Sequence, residues 1–193
     1  MGRAAHFRNE DFIEAALKIA AAEGPAAVTV AAVAAAAGAP VGSVYHRFLS
    51  RDVLMAGVWL RVVASFQRGF LALLEKGEGL EAALYTPRWV RKNPAWARIL
   101  LLYRREELVA GQWPADLKAE AQAVSRSLDD GIRAFTARTF GKAGRREIER
   151  VLFAVVDCPY AAVLRYLRRG EKPPRTVDGY ITKTYNAILG RTT

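Results

Sequence analysis

Residues 41–46 read VGSVYH and bring several small or polar side chains close together. Ser43 can donate or accept a hydrogen bond, His46 can contact a base or a phosphate, and Val41 can pack against a methyl group. Gly42 has no side chain and therefore allows close approach. Base edges in the major groove of DNA differ in their donors, acceptors and methyl groups. If these residues share the exposed face of a helix, they can discriminate between base pairs.

The remaining polar residues do not form a recognisable catalytic or metal-binding set. The only histidines are His6 and His46, so a larger C-terminal domain has none for a catalytic triad or a histidine-rich metal site. Carboxylates at 106–107 and 129–130 are adjacent and diverge on a helix, unlike a paired acid and base. The single cysteine, Cys158, excludes an intrachain disulfide and is expected to be an inert buried thiol. No P-loop or dinucleotide fingerprint occurs, and we expect no enzyme activity, no cofactor and no metal.

The residues around VGSVYH predict two short helices joined by a tight turn. Thr29 suits the N-cap of the first helix, whose apolar residues recur at helical spacing. Gly38 can take the left-handed conformation of a helix C-cap, and Pro40 fits the first turn of the second helix, with Ala39 left as its N-cap. The second helix would turn Val44 and Phe48 toward the core. This pattern is typical of a helix-turn-helix, which presents its second helix to the major groove.

The stretch AGAPVGSVYHRFLSRDVL closely resembles the DNA-binding signature of the tetracycline-repressor (TetR) family of bacterial transcription regulators. In that signature a turn centred on glycine precedes a recognition helix that ends in Tyr-x-x-Phe. The specific resemblance covers residues 9–54. Beyond it, the chain shares only the family's length, helicity and general pattern.

The resemblance implies roles for residues on both sides of the recognition helix. Thr29, Tyr45 and Arg51 match family positions that contact phosphates and fix the register on DNA. Pro40 stands where the family usually has a small hydroxyl residue, which removes one phosphate contact. The residues expected at the DNA interface are Thr29, Pro40, Val41, Gly42, Ser43, Tyr45, His46 and Arg51.

The whole chain is predicted to be all-α, with about nine helices and no strand pattern. Residues 1–51 would form a three-helix DNA-binding domain, and residues 52–193 an effector-binding and dimerisation domain. Arg3, His6 and Arg8 precede the first helix as a loose basic arm or a disordered tail. The predicted helices are Asn9 to Glu23, Thr29 to Ala37, Pro40 to Arg47, Ser50 to Lys76, Leu80 to Lys92, Pro94 to Val109, Leu117 to Phe140, Arg145 to Arg169 and Val177 to Leu189.

The net charge of +10 gives only mild support for DNA binding. Residues 1–51 hold five basic and four acidic side chains, so the excess lies outside the predicted DNA-binding domain. Two other interpretations stay open. A non-specific basic nucleoid or RNA-associated protein would explain the charge without an operator, and a helical small-molecule carrier would bind ligand without any effect on DNA binding.

The central helices are rich in aromatic residues, most of which are expected in the core. The family resemblance implies that some line a cavity for an apolar or aromatic effector. Arginines and a lysine between 88 and 105 border the same segment, so an anionic effector or a solvated basic face are alternatives. The residues expected in the pocket are Phe66, Phe70, Trp89, Trp96, Leu100, Tyr103, Phe153 and Cys158. Pro159, inside the following helix, should kink or break it.

Apolar residues also recur at steps of three and four along the last two helices. A lone chain could bury one such stripe in its own core, but two adjacent stripes suit a four-helix interface with a second copy, as in the family's dimers. The residues expected there are Leu152, Val156, Tyr160, Val163, Leu167, Ile181, Tyr185 and Ile188.

These observations together favour a homodimeric, ligand-responsive transcription regulator, more specifically a repressor of a palindromic operator. The N-terminus has no apolar signal-peptide core, and no apolar run is long enough for a membrane span. We therefore expect a cytoplasmic location.

Overall fold

The computed structural model describes residues 7–100 and 113–190, which contain nine helices and no strand. A 3₁₀ turn, Pro25–Ala27, joins the first two helices. The eighth helix has three consecutive segments, the middle one a π-helical turn. The helices are α1 (Asn9–Glu23), α2 (Val30–Ala37), α3 (Val41–Arg47), α4 (Arg51–Glu75), α5 (Gly79–Lys92), α6 (Pro94–Ile99), α7 (Ala115–Phe140), α8 (Arg145–Leu152, Phe153–Asp157 and Cys158–Arg168) and α9 (Thr176–Leu189).

The all-α fold class is confirmed, and most predicted helix bounds agree with the structure to within two residues. Two caps were wrong by one residue. The N-cap of α1 is Arg8 instead of Asn9, with Asp11 Oδ2 accepting from the Arg8 backbone N–H at 2.7 Å. The predicted helix from Pro94 is described only as Pro94–Ile99, because residues 101–112 lie outside the described part of the chain.

The chain divides into two compact units. The first comprises Met1–Val63 and Arg98–Gln122, and the second Ala64–Ala97 and Ala123–Thr193. The boundary predicted after residue 51 falls at the start of α4, whereas the first half of this helix belongs to the first unit.

The core of the first unit centres on Phe12, which is fully buried. Its ring meets Phe7 at 5.8 Å and Phe48 edge-on at 6.4 Å between centroids. Val28, Val33 and Val44 complete the apolar centre of α1, α2 and α3. The stripe that faces inward on each helix therefore fixes the three-helix arrangement, as its spacing predicted.

The core of the second unit is larger and draws on α4, α5, α7, α8 and α9. Arg91 and Asp178 form a two-pronged ion pair between α5 and α9, at 2.9 and 2.7 Å. Gly79 packs so tightly that a Cβ there would collide with the hydroxyl of Tyr185 and the ring of Phe135. The buried residues of this core are Phe70, Leu74, Ala82, Ala83, Leu84, Ile132, Phe135, Val151, Ala154, Val155, Val177 and Ile181.

Pro159 does not break α8, the stronger of the two predicted effects, and the helix is distorted instead by a π-helical turn. The π-helical turn Phe153–Asp157 precedes it, and the Cys158 N–H donates to the Phe153 carbonyl five residues back. Proline has no N–H, so the regular bonding pattern cannot continue through this position. The wider turn accommodates the position that lacks a hydrogen bond, and the backbone is helical before and after it.

α4 alone among the described helices is long and apolar enough to cross a membrane by length and composition, with a mean hydropathy of 1.2 over its best window. Half of that window is buried within the protein. The apolar character of α4 is therefore that of a helix packed in a protein core.

Candidate nucleic-acid interface

The turn between α2 and α3 is closed by backbone bonds around Gly38. Gly38 has φ 65° and ψ 30°, the left-handed conformation predicted for it. The N–H of Ala39 donates to the Ala34 carbonyl at 2.9 Å, which satisfies a carbonyl at the end of α2. At the other end of α2, Thr29 Oγ1 accepts from the Ala32 N–H at 3.1 Å, which confirms the predicted N-cap.

Pro40 caps α3, which corrects the prediction that Ala39 would be the N-cap. The Pro40 carbonyl accepts from the Ser43 N–H at 2.9 Å, and no side chain caps this end of the helix. Proline holds φ near the −61° found here, so the ring sets the entry angle of α3 without a hydrogen bond. The cap thus differs from the hydroxyl that the TetR resemblance implied.

α3 presents a nearly continuous exposed face. Val41, Gly42, Tyr45 and His46 are exposed, and Ser43 is half-buried. Space around Gly42 is open, and a Cβ added there would have nothing within 4 Å. Val44 is the one buried residue of this helix, so a single side chain anchors it from within. The face can therefore be brought against a partner surface without any rearrangement of the helix.

Arg51 faces the protein's own backbone. Its Nε donates to the Val28 carbonyl at 2.6 Å and its Nη2 to the Pro25 carbonyl at 3.0 Å. A third nitrogen, Nη1, lies 3.9 Å from the Asp52 carboxylate. The residue expected to contact a phosphate thus has two of its nitrogens bound to the turn between α1 and α2.

Arg47, which the sequence did not single out, makes a similar contact from the end of α3. Its Nη2 donates to the Phe7 carbonyl at 2.7 Å, and its Nη1 lies 3.5 Å from Asn9 Oδ1. Of the predicted basic arm, Arg3 and His6 lie outside the described residues, and Arg8 Nη2 is 3.6 Å from Asp11 Oδ1. Hydrogen-bond partners of this kind depend on the folded arrangement, and no local sequence signal identifies them.

Residues 12–58 match the sequence profile described as "Bacterial regulatory proteins, tetR family". The match runs from α1 into α4 and contains the whole turn and α3. The N-terminal domain is a TetR-family DNA-binding domain. TetR-family proteins are transcription regulators and not enzymes, and they bind DNA and small-molecule effectors as dimers.

Solved structures extend this likeness in fold to the whole chain. A tetR family transcription regulator from Shewanella sp. PV-4 has a TM-score of 0.61 at 18% identity, covering 96% of this chain and 100% of that one. The fatty acid degradation regulator FadR from Bacillus halodurans has a TM-score of 0.65 at 12% identity, covering 98% of each chain. The multidrug binding protein EbrR, solved with imidazole, has a TM-score of 0.62 at 20% identity, covering 97% and 98%. A search of curated protein sequences gave no match.

Three of the predicted effector residues meet in one aromatic cluster. Phe66 stacks on Phe70 at 5.9 Å between ring centroids and meets Trp89 edge-on at 5.3 Å. Tyr85, which the prediction omitted, is 5.3 Å from the same ring. Burial raises the pKa of the Tyr85 hydroxyl, so it stays protonated and can donate a hydrogen bond. We name Phe66, Phe70, Tyr85 and Trp89 the aromatic cluster.

The other predicted effector residues lie elsewhere. Phe153 is 51% exposed on α8, at the first position of the π-helical turn. Trp96 and Cys158 are half-buried, and the Leu100 carbonyl accepts from Trp59 Nε1 at 3.4 Å. Tyr103 lies outside the described residues.

The predicted dimer stripe is mostly part of the chain's own core. Val163, Leu167 and Ile181 are 1%, 6% and 0% exposed, so they are buried without a partner. Leu152, Val156, Tyr185 and Ile188 pack partly buried against the same core. Tyr160, a member of the predicted set, is a large side chain that is 45% exposed. Phe153 and Tyr180, the latter 61% exposed, also lie on the surface of this unit.

The first unit also has a cavity that the sequence did not predict. It has a volume of about 230 Å³ and is lined by both charged and apolar side chains. Burial raises the pKa of the Glu120 carboxyl on its wall, an effect that Arg61 opposes and that Asp116 and Glu10 reinforce. The lining residues include Ile13, Glu14, Arg47, Leu49, Val53, Gly57 and Leu117.

Proposed function

We propose that this chain is a transcription repressor that binds a palindromic operator as a homodimer and releases it when a small molecule binds. A DNA-binding regulator of a bacterial family would act in the cytoplasm. The observation that carries the proposal is the exposed face of α3, where Tyr45 and His46 stand on a helix fixed by the Gly38 turn and the Thr29 cap.

The residues of the exposed face suit two kinds of DNA contact, to base edges and to phosphates. Val41 can meet a thymine methyl group, and Ser43 and His46 can bond to base edges. Tyr45 and the hydroxyl of Thr29 suit phosphates, which position the domain without conferring sequence preference. Because so few base contacts give one domain little selectivity, two domains on a palindrome are needed.

The DNA-binding proposal is tested by selecting genomic fragments that the full chain retains, then measuring affinity for the enriched palindrome and for random DNA. We expect Tyr45→Phe to weaken binding to both, and Ser43→Ala to change the preference at one position. Ser127→Ala removes an exposed hydroxyl from α7, outside the N-terminal domain, and is the matched control. Equal affinity for palindrome and random DNA would instead support the non-specific nucleic-acid-binding alternative.

The proposed dimer uses the outer surface of α8 and α9. Phe153, Tyr160 and Tyr180 are large apolar or aromatic side chains left exposed there, and side chains of this type are enriched in interfaces. We expect Phe153→Asp and Tyr180→Asp to convert a dimer into monomers in sedimentation experiments, with helicity retained. Leu49→Asp, at another exposed apolar residue, should leave the dimer intact. Monomeric wild-type protein would contradict the proposal.

The proposed effector has an apolar, flat or flexible body and one hydrogen-bonding group. The aromatic cluster supplies apolar surface, and the side chains of Gln67 and Thr86, neighbours of Phe66 and Tyr85 in sequence, are buried. A polar side chain in an otherwise apolar pocket can fix the orientation of a ligand through a hydrogen bond. An anionic effector is disfavoured, because Arg88 is paired with Glu81 and Arg91 with Asp178.

The effector proposal is tested by tryptophan fluorescence against three probes: a planar aromatic cation, a long-chain fatty acid and imidazole. A ligand of the proposed class should change the emission, and Trp89→Phe should remove most of that change. The same ligand should release the operator in a gel shift. Gln67→Leu should lower the affinity for the ligand and leave the affinity for the operator unchanged. An equal loss of both affinities would assign Gln67 a purely structural role.

A further inference from the structure

We propose that Arg51 is a positioning residue, which holds α3 at its working angle by binding the turn between α1 and α2, and that it does not contact an operator phosphate. The inference rests on the proposed function, in which α3 enters the major groove. It departs from the role that the TetR resemblance implied for this position.

The geometry suits a guanidinium and no other side chain. Nε and Nη2 of Arg51 lie on one edge of a rigid plane and donate to two carbonyls, those of Val28 and Pro25, at 2.6 and 3.0 Å. Val28 is fully buried and directly precedes Thr29, the N-cap of α2. A lysine has a compact ammonium on a flexible stem and cannot reproduce a two-point contact of this kind.

α3 needs such external support because it is short. It has seven residues, one of them buried, so its own packing constrains it weakly. Arg47 binds the Phe7 carbonyl from the end of α3, and Arg51 binds the turn from the first residue of α4. Arg47 therefore ties the end of α3 to the segment before α1, and Arg51 ties the start of α4, four residues later, to the turn after α1.

The charge balance of the domain points the same way. Residues 1–51 have five basic and four acidic side chains, and two of the five bases are Arg47 and Arg51. Both direct donor nitrogens at carbonyls of the protein itself, which leaves fewer of their donors free for phosphates. Operator affinity should then depend on the orientation of α3 more than on direct phosphate pairing by Arg51.

Salt titrations separate the two roles. Operator affinity is measured between 50 and 200 mM salt for the wild type, Arg51→Met and Arg51→Lys, with Lys18→Met as a control that removes one exposed charge from the same domain. We expect Arg51→Met to lower affinity about tenfold at every salt concentration, since two hydrogen bonds from a charged donor are lost. Arg51→Lys should restore little of the operator affinity that Arg51→Met loses, and Lys18→Met should change the operator affinity only slightly.

A phosphate contact gives a different pattern. A dimer would lose two contacts, its salt slope would fall by about 1.8, and the ratio of mutant to wild-type affinity would change about 12-fold over this range. Lysine would also rescue binding, because an ammonium pairs well with phosphate. Either result would overturn the positioning role.

A measurement on the free full-length protein covers the case in which a variant folds poorly. The Arg51 Nε–H signal in nitrogen-15 NMR should be protected from solvent exchange without DNA, because its acceptor belongs to the protein. Rapid exchange in the free protein would overturn the inference. A wild type that binds no specific DNA would overturn the proposed function and the positioning role together, whereas specific binding that Arg51→Met leaves unchanged would overturn the positioning role alone.

Discussion

The N-terminal domain and the second unit are stabilised over very different sequence distances. In the N-terminal domain, Thr29 caps a helix through an atom three residues away, and Gly38 closes a turn within five residues. In the second unit, Arg91 pairs with Asp178 across 87 residues, and Gly79 makes room for Tyr185. One region is specified mainly by local signals, and the other by the fit of distant side chains.

This difference matches what the proposed function requires of each region. A DNA-binding domain must present a few side chains at a fixed angle, and short helices with defined caps achieve that with a small core. A ligand-responsive domain needs a larger interior, whose shape depends on long-range packing. The positive charge does not follow this division, because the N-terminal domain carries only +1 of the total +10.

The largest effect is expected from Phe12→Ala, which tests whether the N-terminal domain has its own core. Phe12 is fully buried between Phe7 and Phe48, so the change should cost about 3–5 kcal/mol of unfolding free energy. Operator binding should be lost in gel shifts, while sedimentation still shows the dimer. Phe70→Ala, in the core of the second unit, is the matched control and should destabilise that unit instead. Loss of both properties in the Phe12 variant would break the distinction between the regions.

The next effect concerns the ion pair between α5 and α9. Arg91 and Asp178 are 21% and 25% exposed, so Asp178→Asn should cost about 2 kcal/mol, less than for a fully buried pair. Urea unfolding of the second unit measures this cost. Arg88→Met breaks an exposed pair with Glu81 and should cost less than about 1 kcal/mol. Equal costs would show that the pair at 91 and 178 does little to join α5 and α9.

A smaller effect is expected from Gly79→Ala. The new methyl would collide with the Tyr185 hydroxyl and the Phe135 ring, and overpacking at side-chain ends should cost about 1–2 kcal/mol in thermal unfolding. Adding Tyr185→Phe should recover part of the loss, because the hydroxyl is removed. Gly179→Ala has open space in α9 and should stabilise the chain by up to about 1 kcal/mol. If both alanines stabilise, the fit at Gly79 is looser than the structure indicates.

The sequence predicted the N-terminal domain well because its signals are local. Thr29 and Gly38 act through neighbours within five residues, and the helix bounds followed from them. The contacts of Arg51 could not be predicted, since the carbonyls of Pro25 and Val28 reach it only after α1 and α4 have packed. Pro40 was assigned to the right turn but to the wrong position within it.

The sequence predicted helices in the second unit but not the faces they bury. Apolar residues on α8 form two neighbouring stripes, one with Val163 and Leu167 and another with Phe153 and Tyr160. Periodicity marks both as apolar, and only the packed structure shows that the first is internal and the second exposed. The π-helical turn before Pro159 contributes to this offset, because it rotates the residues that follow it relative to a regular helix.

The smallest expected effect contrasts one carboxyl from each unit. Burial raises the pKa of Glu120 in the first unit, so folding favours its protonated form, and stability should fall as pH rises from the ordinary carboxyl range through the raised pKa. Hydrogen bonds from its own backbone N–H and from Lys142 lower the pKa of Glu147 in the second unit, so its contribution is present above the ordinary range and lost as pH falls through the lowered pKa.

The two neutral substitutions should therefore act in opposite directions. Glu120→Gln should raise the unfolding free energy at pH 7, because it removes a charge that burial disfavours, and Glu147→Gln should lower it. Below the ordinary glutamate pKa of about 4.3, Glu120 is protonated in the folded and the unfolded chain alike, and its variant should lose the advantage. Thermal unfolding of both variants from pH 3 to pH 8 checks this. Shifts of the same sign at neutral pH would show that burial at Glu120 is outweighed by the attraction of Arg61, and that the cavity wall of the first unit favours a charged carboxylate after all.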